Sequence, residues 1–288
     1  ANGNSIVSVS NADIVIAPNG TGKVDINGNL DVDGGTIKLD GNYPTGTDNV
    51  ALGNTALYSV EAGGINNVAI GDNAGTAITT ADNNVAIGKD ALLSTTTGNS
   101  NVAVGKSVLA NNTTAAGNTG VGVNALFTNI TGTDNVAMGS NALYSNTARR
   151  NTAIGVSTLQ CNTSGESNSA LGYFSLDANT TGSSNVGIGG GLGGNTTGSG
   201  NIAIGTSSLS NNTTCSDNVA VGRSAAQETN SSHGIVAIGA YALCKNTSGD
   251  NNTAVGFCAL ECNTTAASNV AVGSCSLMCN TTASQNTA

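Results

Sequence analysis

Cysteine is the residue type in this sequence that is best placed to do chemistry. All seven cysteines lie after residue 160, and two pairs are seventeen residues apart: Cys258 with Cys275, and Cys262 with Cys279. In a structure that repeats every seventeen residues, each pair would stack on neighbouring turns at a separation compatible with a disulfide. Small buried thiols fit the same spacing without any bond. The pattern therefore predicts either disulfides or a ladder of free thiols.

Other residues that could support catalysis or metal binding are scarce. The one histidine, His233, lies in an irregular turn, and a general base needs partners held close to it. Asp134, Asp217 and Asp250 lie one or two places before the first residue of a repeat, where a carboxylate caps a turn. The glycine-rich residues 189–191 lack the strand–loop–helix context of a phosphate site, and the Gly-Gly-x-Gly-x-Asp pattern of calcium β-rolls is absent. We therefore predict no enzyme activity, no cofactor and no metal site.

Composition and charge narrow the classes of protein further. The chain has 8 Lys and Arg against 17 Asp and Glu, which argues against a nucleic-acid partner. No apolar run approaches the ~20 residues of a membrane span. There are 40 glycines, 3% aromatic residues and no Trp, and the apolar residues are mostly small or β-branched, which favours thin, regular β-structure. Because the chain begins without Met and stops inside a repeat, we expect it to be a segment of something longer.

The dominant feature of the sequence is a tandem repeat of about seventeen residues. Its first five residues are Asn-Val-Ala-Ile-Gly or a close variant, and we number the Asn as position zero. Position +2 is Ala or Gly in every copy, +3 is aliphatic, +4 is Gly, +8 is Leu in eleven of fourteen full copies, and a polar turn such as Asn162-Thr163-Ser164 follows near +11. The copies begin at Asn49, Asn67, Asn84, Asn101, Asn118, Asn135, Asn151, Asn168, Asn185, Asn201, Asn218, Ile235, Asn252, Asn269 and Asn286.

This repeat predicts an all-β fold, a parallel β-solenoid of about fourteen coils stacked ~4.8 Å apart. Side chains alternate along a strand, so +1 and +3 share one face, which we expect to be the inside of the coil. Leu at +8 is expected to come from a second short strand and to close the core. Gly at +4 is expected to end the first strand, where a positive φ or a close backbone approach is needed. Helices are excluded because Gly and β-branched residues at fixed places are poor helix formers.

Position +2 carries the prediction of an oligomer. Only Ala and Gly occur there, so something packs too closely for a larger side chain. One explanation is a tight turn within the coil. The other, which we favour, is a chain-to-chain contact in a parallel homotrimer, which would add apolar burial to a thin coil. The predicted inter-chain residues are Ala86, Ala103, Ala137, Ala153, Ala203, Ala220, Ala254 and Ala271.

The Asn-Val-Ala-Ile-Gly coil resembles the head repeats of trimeric autotransporter adhesins. With its longer coil and Asn-Thr-Thr-Gly turn, it is also similar to repeats in tail-fibre and virion structural proteins of tailed phages, including marine cyanophages. The resemblance covers residues 49–288, and residues 14–24, Ile-Val-Ile-Ala-Pro-Asn-Gly-Thr-Gly-Lys-Val, look like a leader of such fibres. It implies a homotrimer in a virion or otherwise outside the cell. Its partners would be other virion or fibre proteins, and a host receptor or glycan bound through regions outside this segment.

Residues 1–47 differ in kind from the repeats. They contain short alternating strands separated by Asn-Gly, Asp-Gly and Gly-Gly turns, which predicts a hairpin-rich β-region. We therefore divide the chain into an N-terminal leader, 1–47, and the solenoid, 48–288.

Three functions remain open from the sequence. The favoured one is a structural fibre whose solenoid is a stiff shaft that carries a distal receptor-binding tip. The second is a cell-surface adhesin whose solenoid face itself binds host or matrix. The third is an ice-binding solenoid, suggested by recurrent Thr pairs such as Thr113-Thr114, although these are adjacent rather than separated by one residue as a flat ice-binding face needs.

Overall fold

A computed structural model describes residues 46–288, so the predicted hairpin-rich leader lies outside the described residues. The described part contains fourteen strands of three residues each and no helix. The strands are β1 Val50–Leu52, β2 Val68–Ile70, β3 Val85–Ile87, β4 Val102–Val104, β5 Thr119–Val121, β6 Val136–Met138, β7 Thr152–Ile154, β8 Ser169–Leu171, β9 Val186–Ile188, β10 Ile202–Ile204, β11 Val219–Val221, β12 Val236–Ile238, β13 Thr253–Val255 and β14 Val270–Val272.

All fourteen strands form one parallel sheet in sequence order. Each strand pairs with the same repeat position of the next, as Ala86 does with Ala103 and Ile87 with Val104. One strand per repeat, paired in register with its neighbours, means that the chain advances by one strand spacing on each turn. The predicted all-β parallel β-solenoid is therefore confirmed.

Each coil has one strand, and the prediction of a second strand around Leu at +8 is wrong. Positions +6 and +8 adopt left-handed backbone conformations instead, with φ of 56° at Asn124 and 54° at Leu126. A strand requires strongly negative φ, whereas two left-handed residues close together bend the chain around the coil. The Leu side chain is nonetheless inside, as predicted, since Leu126 and its counterpart Leu143 are completely buried. That burial offsets the strain of a left-handed leucine.

The two faces of the strand are reversed relative to the prediction. Ala at +2 points into the coil, and +1 and +3 point out: Ala137 is 0% exposed, whereas Met138 is 43% exposed. The space opposite +2 is already filled by apolar side chains. At Gly120, which occupies +2, an added Cβ would lie 2.5 Å from Val108 Cγ1 and 3.8 Å from Leu126 Cδ1. Even a methyl group is too large at Gly120, and most other coils accept only the methyl group of Ala at +2, so the larger +1 and +3 side chains face outward.

A column of buried asparagines runs through the interior at position zero. The backbone N–H of Asn101 donates to Oδ1 of Asn84 over 2.9 Å, and its Nδ2 donates to the Ala115 carbonyl over 2.9 Å. Asn118 repeats the pattern one coil later, donating to Oδ1 of Asn101 over 3.0 Å. Because a buried amide is stable only when its polar atoms are paired, each Asn depends on the one in the neighbouring coil.

A second column of buried asparagines lies at the polar turn, mostly at position +11. Nδ2 of Asn179 donates both to Oδ1 of Asn162, over 2.8 Å, and to the Gly182 carbonyl three residues ahead, over 2.9 Å. The first bond joins two coils and the second closes the turn. Asn162 is completely buried, so its Asn-x-Ser sequence is part of the coil interior and is not an accessible glycosylation site.

Gly at +4 has both a positive φ and a close approach to the neighbouring backbone, the two features that the sequence predicted as alternatives. Gly122 has φ of 131°, which L-residues rarely adopt, and a Cβ there would lie 2.7 Å from the carbonyl oxygen of Gly139 in the next coil. The same close stacking of Gly on Gly recurs along the rod. Gly is therefore required at +4 for backbone conformation and for space.

We expect Gly122→Ala to lower the free energy of unfolding by roughly 2–5 kcal/mol, because it adds both backbone strain and a backbone clash. The control is Gly193→Ala, since φ at Gly193 lies outside the strained range and a Cβ there would meet only Asp177 Oδ1, at 3.6 Å. Chemical denaturation of the two variants checks the prediction. Equal stability of the two proteins would contradict the stacked-glycine geometry.

Candidate functional surface

The most extensive surface feature of the described chain is an aliphatic face formed by positions +1 and +3 of the strands. Because Ala at +2 is inside, its neighbours on both sides project outward. Four strands carry Thr or Ser at +1, and of the apolar side chains at +1 and +3 ten are exposed and the others are half-buried. The exposed ones are Leu52, Ile70, Met138, Ile154, Leu171, Ile202, Ile204, Ile238, Val270 and Val272.

This aliphatic face is long, narrow and almost continuous. Thirteen strand spacings of ~4.8 Å give it a length of roughly 62 Å, and its two side-chain columns are about 7 Å apart. It dips at β8, where the small Ser169 occupies +1, and a depression of about 200 Å³ opens there between Ile154, Leu171 and Ile188. Contiguous apolar surface on this scale is typical of protein–protein contact sites.

The structure does not place the predicted inter-chain alanines at a chain-to-chain contact. All eight, Ala86, Ala103, Ala137, Ala153, Ala203, Ala220, Ala254 and Ala271, are 0–1% exposed within a single chain. The restriction to Ala and Gly at +2 comes from the side chains at +7 and +8 inside the coil, such as Val108 and Leu126 beside Gly120. Of the two explanations for the small residues at +2, the one within a single coil therefore fits better than a chain-to-chain contact. The cause is side-chain packing inside the coil rather than a tight turn.

All seven cysteines are free thiols, and the two predicted pairs belong to neighbouring coils. The backbone N–H of Cys275 donates to the Phe257 carbonyl over 2.8 Å, beside Cys258, and that of Cys262 donates to Met278 over 3.1 Å, beside Cys279. Cys258 is buried, and desolvation, with Glu261 as a smaller contribution, raises the pKa of its thiol to about 11. A thiol with so high a pKa stays protonated and is a poor nucleophile at neutral pH.

Burial also raises the thiol pKa of Cys215 and Cys244. Neither thiol is therefore activated. These properties are those of small core side chains rather than of catalytic cysteines.

Aromatic side chains form pairs outside the strands that the sequence repeat did not single out. Arg223, Tyr241 and Phe257 belong to three consecutive coils, with the Arg223 guanidinium 4.7 Å from the Tyr241 ring centre and the two rings 6.3 Å apart. Phe127 stacks on Tyr144, one coil away, with ring centres 5.2 Å apart. These pairs could have been predicted from the sequence, because their members occupy the same or adjacent repeat positions, +5, +6 or +9, in successive coils.

Polar side chains at the turn accept hydrogen bonds from the backbone of the preceding coil. His233 Nδ1 accepts the N–H of Ser216 over 3.1 Å, and Asp250 Oδ1 accepts the N–H of His233 over 2.8 Å. Ser199 and Ser216 hold equivalent places in earlier coils. His233 and Asp250 therefore have a structural role in joining coils.

Charged side chains also stack between coils. Lys89 Nζ lies 2.7 Å from Asp72 Oδ2, and this hydrogen bond lowers the pKa of the Asp72 carboxyl and raises that of the Lys89 ammonium. The pair is exposed, so it contributes little to stability. Within residues 46–288, no group of three or more His, Cys, Asp or Glu side chains is arranged to hold a metal ion. In the same range no helix has the length and apolarity needed to cross a bilayer.

Comparison with protein-family models, curated proteins and solved structures yields no significant match for this chain. The function of this chain must therefore be inferred from its own sequence and geometry. That geometry combines a regular rod, an interior of paired amides and an aliphatic face along one side.

We expect Ala137→Val to destabilise the isolated chain by roughly 1–3 kcal/mol, because it overpacks the interior of a single coil. Val136→Thr is the matched control one residue away, since Thr already occupies +1 in β7, and should change stability by less than about 0.5 kcal/mol. Thermal unfolding under conditions that keep the chain monomeric measures both. If Ala137→Val were harmless in the monomer, the interior assignment of +2 would be wrong.

Proposed function

We propose that this segment is the shaft of an extracellular homotrimeric fibre, such as a phage tail fibre, and that its aliphatic face is the contact between chains. The observation that carries the proposal is the aliphatic face itself, which continues along all fourteen strands. A face of this kind is unfavourable in water and must be covered for the rod to stay soluble.

The energetics favour self-association over an isolated rod. Each coil has a thin apolar interior, consisting mainly of the Leu at +8 and the Ala at +2. Covering a side chain such as Ile154, 37% exposed, contributes about 1 kcal/mol. Position +3 is apolar in all fourteen strands and +1 is aliphatic in ten of them, while the other four strands carry Thr or Ser at +1. The sum over the rod is comparable to the stability of a whole domain, so association and folding would be coupled.

A parallel arrangement around an axis suits a rod that repeats along its length. When identical chains run side by side in the same register, each side chain meets its own counterparts at the same height. The closed arrangement covers the aliphatic face of every chain and leaves none of it to recruit further chains. Three chains, rather than two, follow from the resemblance of the repeat to trimeric adhesin heads and phage fibres.

The surface away from this face supports a shaft rather than a receptor-binding role. Position +5 is exposed in many coils and carries unrelated residues, such as Lys89, Tyr173 and Phe257, and position +6, which is mostly half-buried or buried, also varies. A surface that binds one repetitive ligand would be expected to repeat its contact residues. Receptor or glycan recognition is therefore assigned to regions outside this segment, and we propose no enzymatic activity and no cofactor.

Ice binding is less well supported by the threonine contacts. At the turn, Thr163 Oγ1 donates to the Thr180 carbonyl over 3.0 Å, and Thr247 Oγ1 donates to Thr264 over 3.0 Å. These hydroxyl hydrogens join neighbouring coils instead of facing an ordered water layer.

We expect the purified segment to be a trimer by multi-angle light scattering at micromolar concentration. The double variant Ile154→Asp with Leu171→Asp should dissociate it, because two carboxylates per chain would be buried in the contact. The control is Val123→Asp with Ile130→Asp, which adds the same charge at side chains that are 45% and 46% exposed but lie off the aliphatic face. A monomeric natural segment, or a control that dissociates equally, would refute the proposed contact.

We also expect the immobilised segment to show no saturable binding to host cells or to a glycan array. The variable +5 and +6 positions give no repeated contact surface for such a ligand. Tyr241→Ala, which removes the most clustered aromatic group, should leave the background signal unchanged. Specific binding that Tyr241→Ala abolishes would favour the adhesin function over the shaft.

A further inference from the structure

The asparagine column at position zero is interrupted once along the described rod. In each other step from Asn49 to Asn286, the backbone N–H of one coil donates to the Asn Oδ1 of the coil before it. Ile235 occupies this position in the coil of β12 and has no side-chain oxygen. Asn252, which follows it in the column, is completely buried, and its backbone N–H therefore lacks the acceptor that its counterparts have.

The second asparagine column is interrupted in the same part of the rod. Thr229 occupies the position that Asn212 holds in the coil before it and Asn246 in the coil after it. Oδ1 of Asn212 and Oγ1 of Thr229 are both buried without a hydrogen-bond partner. Nδ2 of Asn246 donates to Ser232 Oγ over 2.9 Å and to the Gly249 carbonyl over 3.0 Å, so it makes no bond to Thr229.

The strand side of the same coils is intact. β11 pairs with β12 and β12 with β13 over all three residues, as Ala220 does with Ala237 and Ala237 with Ala254. The interruptions are therefore confined to the asparagine columns, since backbone bonds between these coils also continue at the turn, as from the Ser231 N–H to the Thr247 carbonyl over 3.0 Å. A single interruption also occurs at Asn112, whose Oδ1 has no partner, but the position-zero column continues there from Asn101 to Asn118.

From these contacts we infer that the coils of residues 218–252 form a built-in hinge in the rod. Strands β11 to β13 and backbone bonds at the turn still join these coils, but the interrupted asparagine columns leave fewer hydrogen bonds between them than between other coils. Opening lets water reach Asn212 Oδ1, Thr229 Oγ1 and the Asn252 N–H, which gain hydrogen bonds that the closed state lacks. In the uninterrupted coils, opening breaks hydrogen bonds that are already made. Opening is therefore least unfavourable at residues 218–252.

The hinge lies within the coils of one chain, so we expect it in a monomer and in an oligomer alike. In a rod with one hinge, the backbone amides at the hinge exchange with solvent faster than those elsewhere, whereas in a uniform rod they exchange at similar rates. Local opening exposes amides to exchange without global unfolding, so the exchange rate reports the hinge directly.

The experiment is hydrogen–deuterium exchange with mass spectrometry on the full chain. Peptides covering residues 226–252 should exchange at least about tenfold faster than peptides covering 159–185, where both columns are continuous, since each missing or unsatisfied hydrogen bond lowers the free energy of local opening. Peptides around Asn112 should lie between the two. Uniform exchange along the rod would overturn the hinge.

Two matched sets of variants test the cause. Thr229→Asn and Ile235→Asn restore the two columns, and together they should slow exchange at residues 226–252 by about tenfold or more. Asn162→Thr with Asn168→Ile transfers the same substitutions, at the same six-residue spacing, to a continuous region. This second set should create a new fast-exchanging segment around residues 159–185. If the chain with Thr229→Asn and Ile235→Asn does not fold, the natural chain and the chain with Asn162→Thr and Asn168→Ile still test the hinge. If the latter two substitutions leave exchange around residues 159–185 unchanged, the proposed mechanism is refuted.

Discussion

The pairing of buried asparagine amides between successive coils is the interaction on which the rest of this structure depends. An amide inside a coil is stable only if its donors and acceptors are paired, and here the partner is the same residue one turn away, as Asn84 is for Asn101. Such pairing works only if every coil places its Asn at the same height and depth. The repeat length varies only from 16 to 18 residues, and the pairing is kept at both extremes, from Asn135 to Asn151 and from Asn49 to Asn67, because the turns absorb the difference.

The same polar interior decides where the apolar residues go. Two Asn columns and one Leu column fill a small coil, so the strand can present only Ala or Gly to the inside. The β-branched residues that favour the strand conformation, such as Val136 and Ile154, must then face outward. A solenoid with an amide-paired core thus acquires an aliphatic outer face, which is the physical basis of the proposed self-association.

Much of the fold could be predicted because the repeat makes every local signal recur. Parallel stacking, the glycine turn at Gly122 and the burial of Leu126 all followed from spacing and residue type. The second strand was predicted wrongly because Leu rarely adopts a left-handed conformation, and only the completed coil shows that burial offsets its strain. Thr229 and Ile235 did not stand out in the sequence either, since their importance lies in the partners that they fail to provide.

The sequence by itself determined that +1 and +3 share one face of the strand and that +2 lies on the other, because side-chain alternation is a property of the backbone. It could not determine which face is inside. That choice depends on the volume left by the side chains at +7 and +8, such as Val108 and Leu126, which meet the strand only when the coil closes. Tertiary packing therefore placed Ala137 inside and Met138 outside, and so created the aliphatic face on which the proposed function depends.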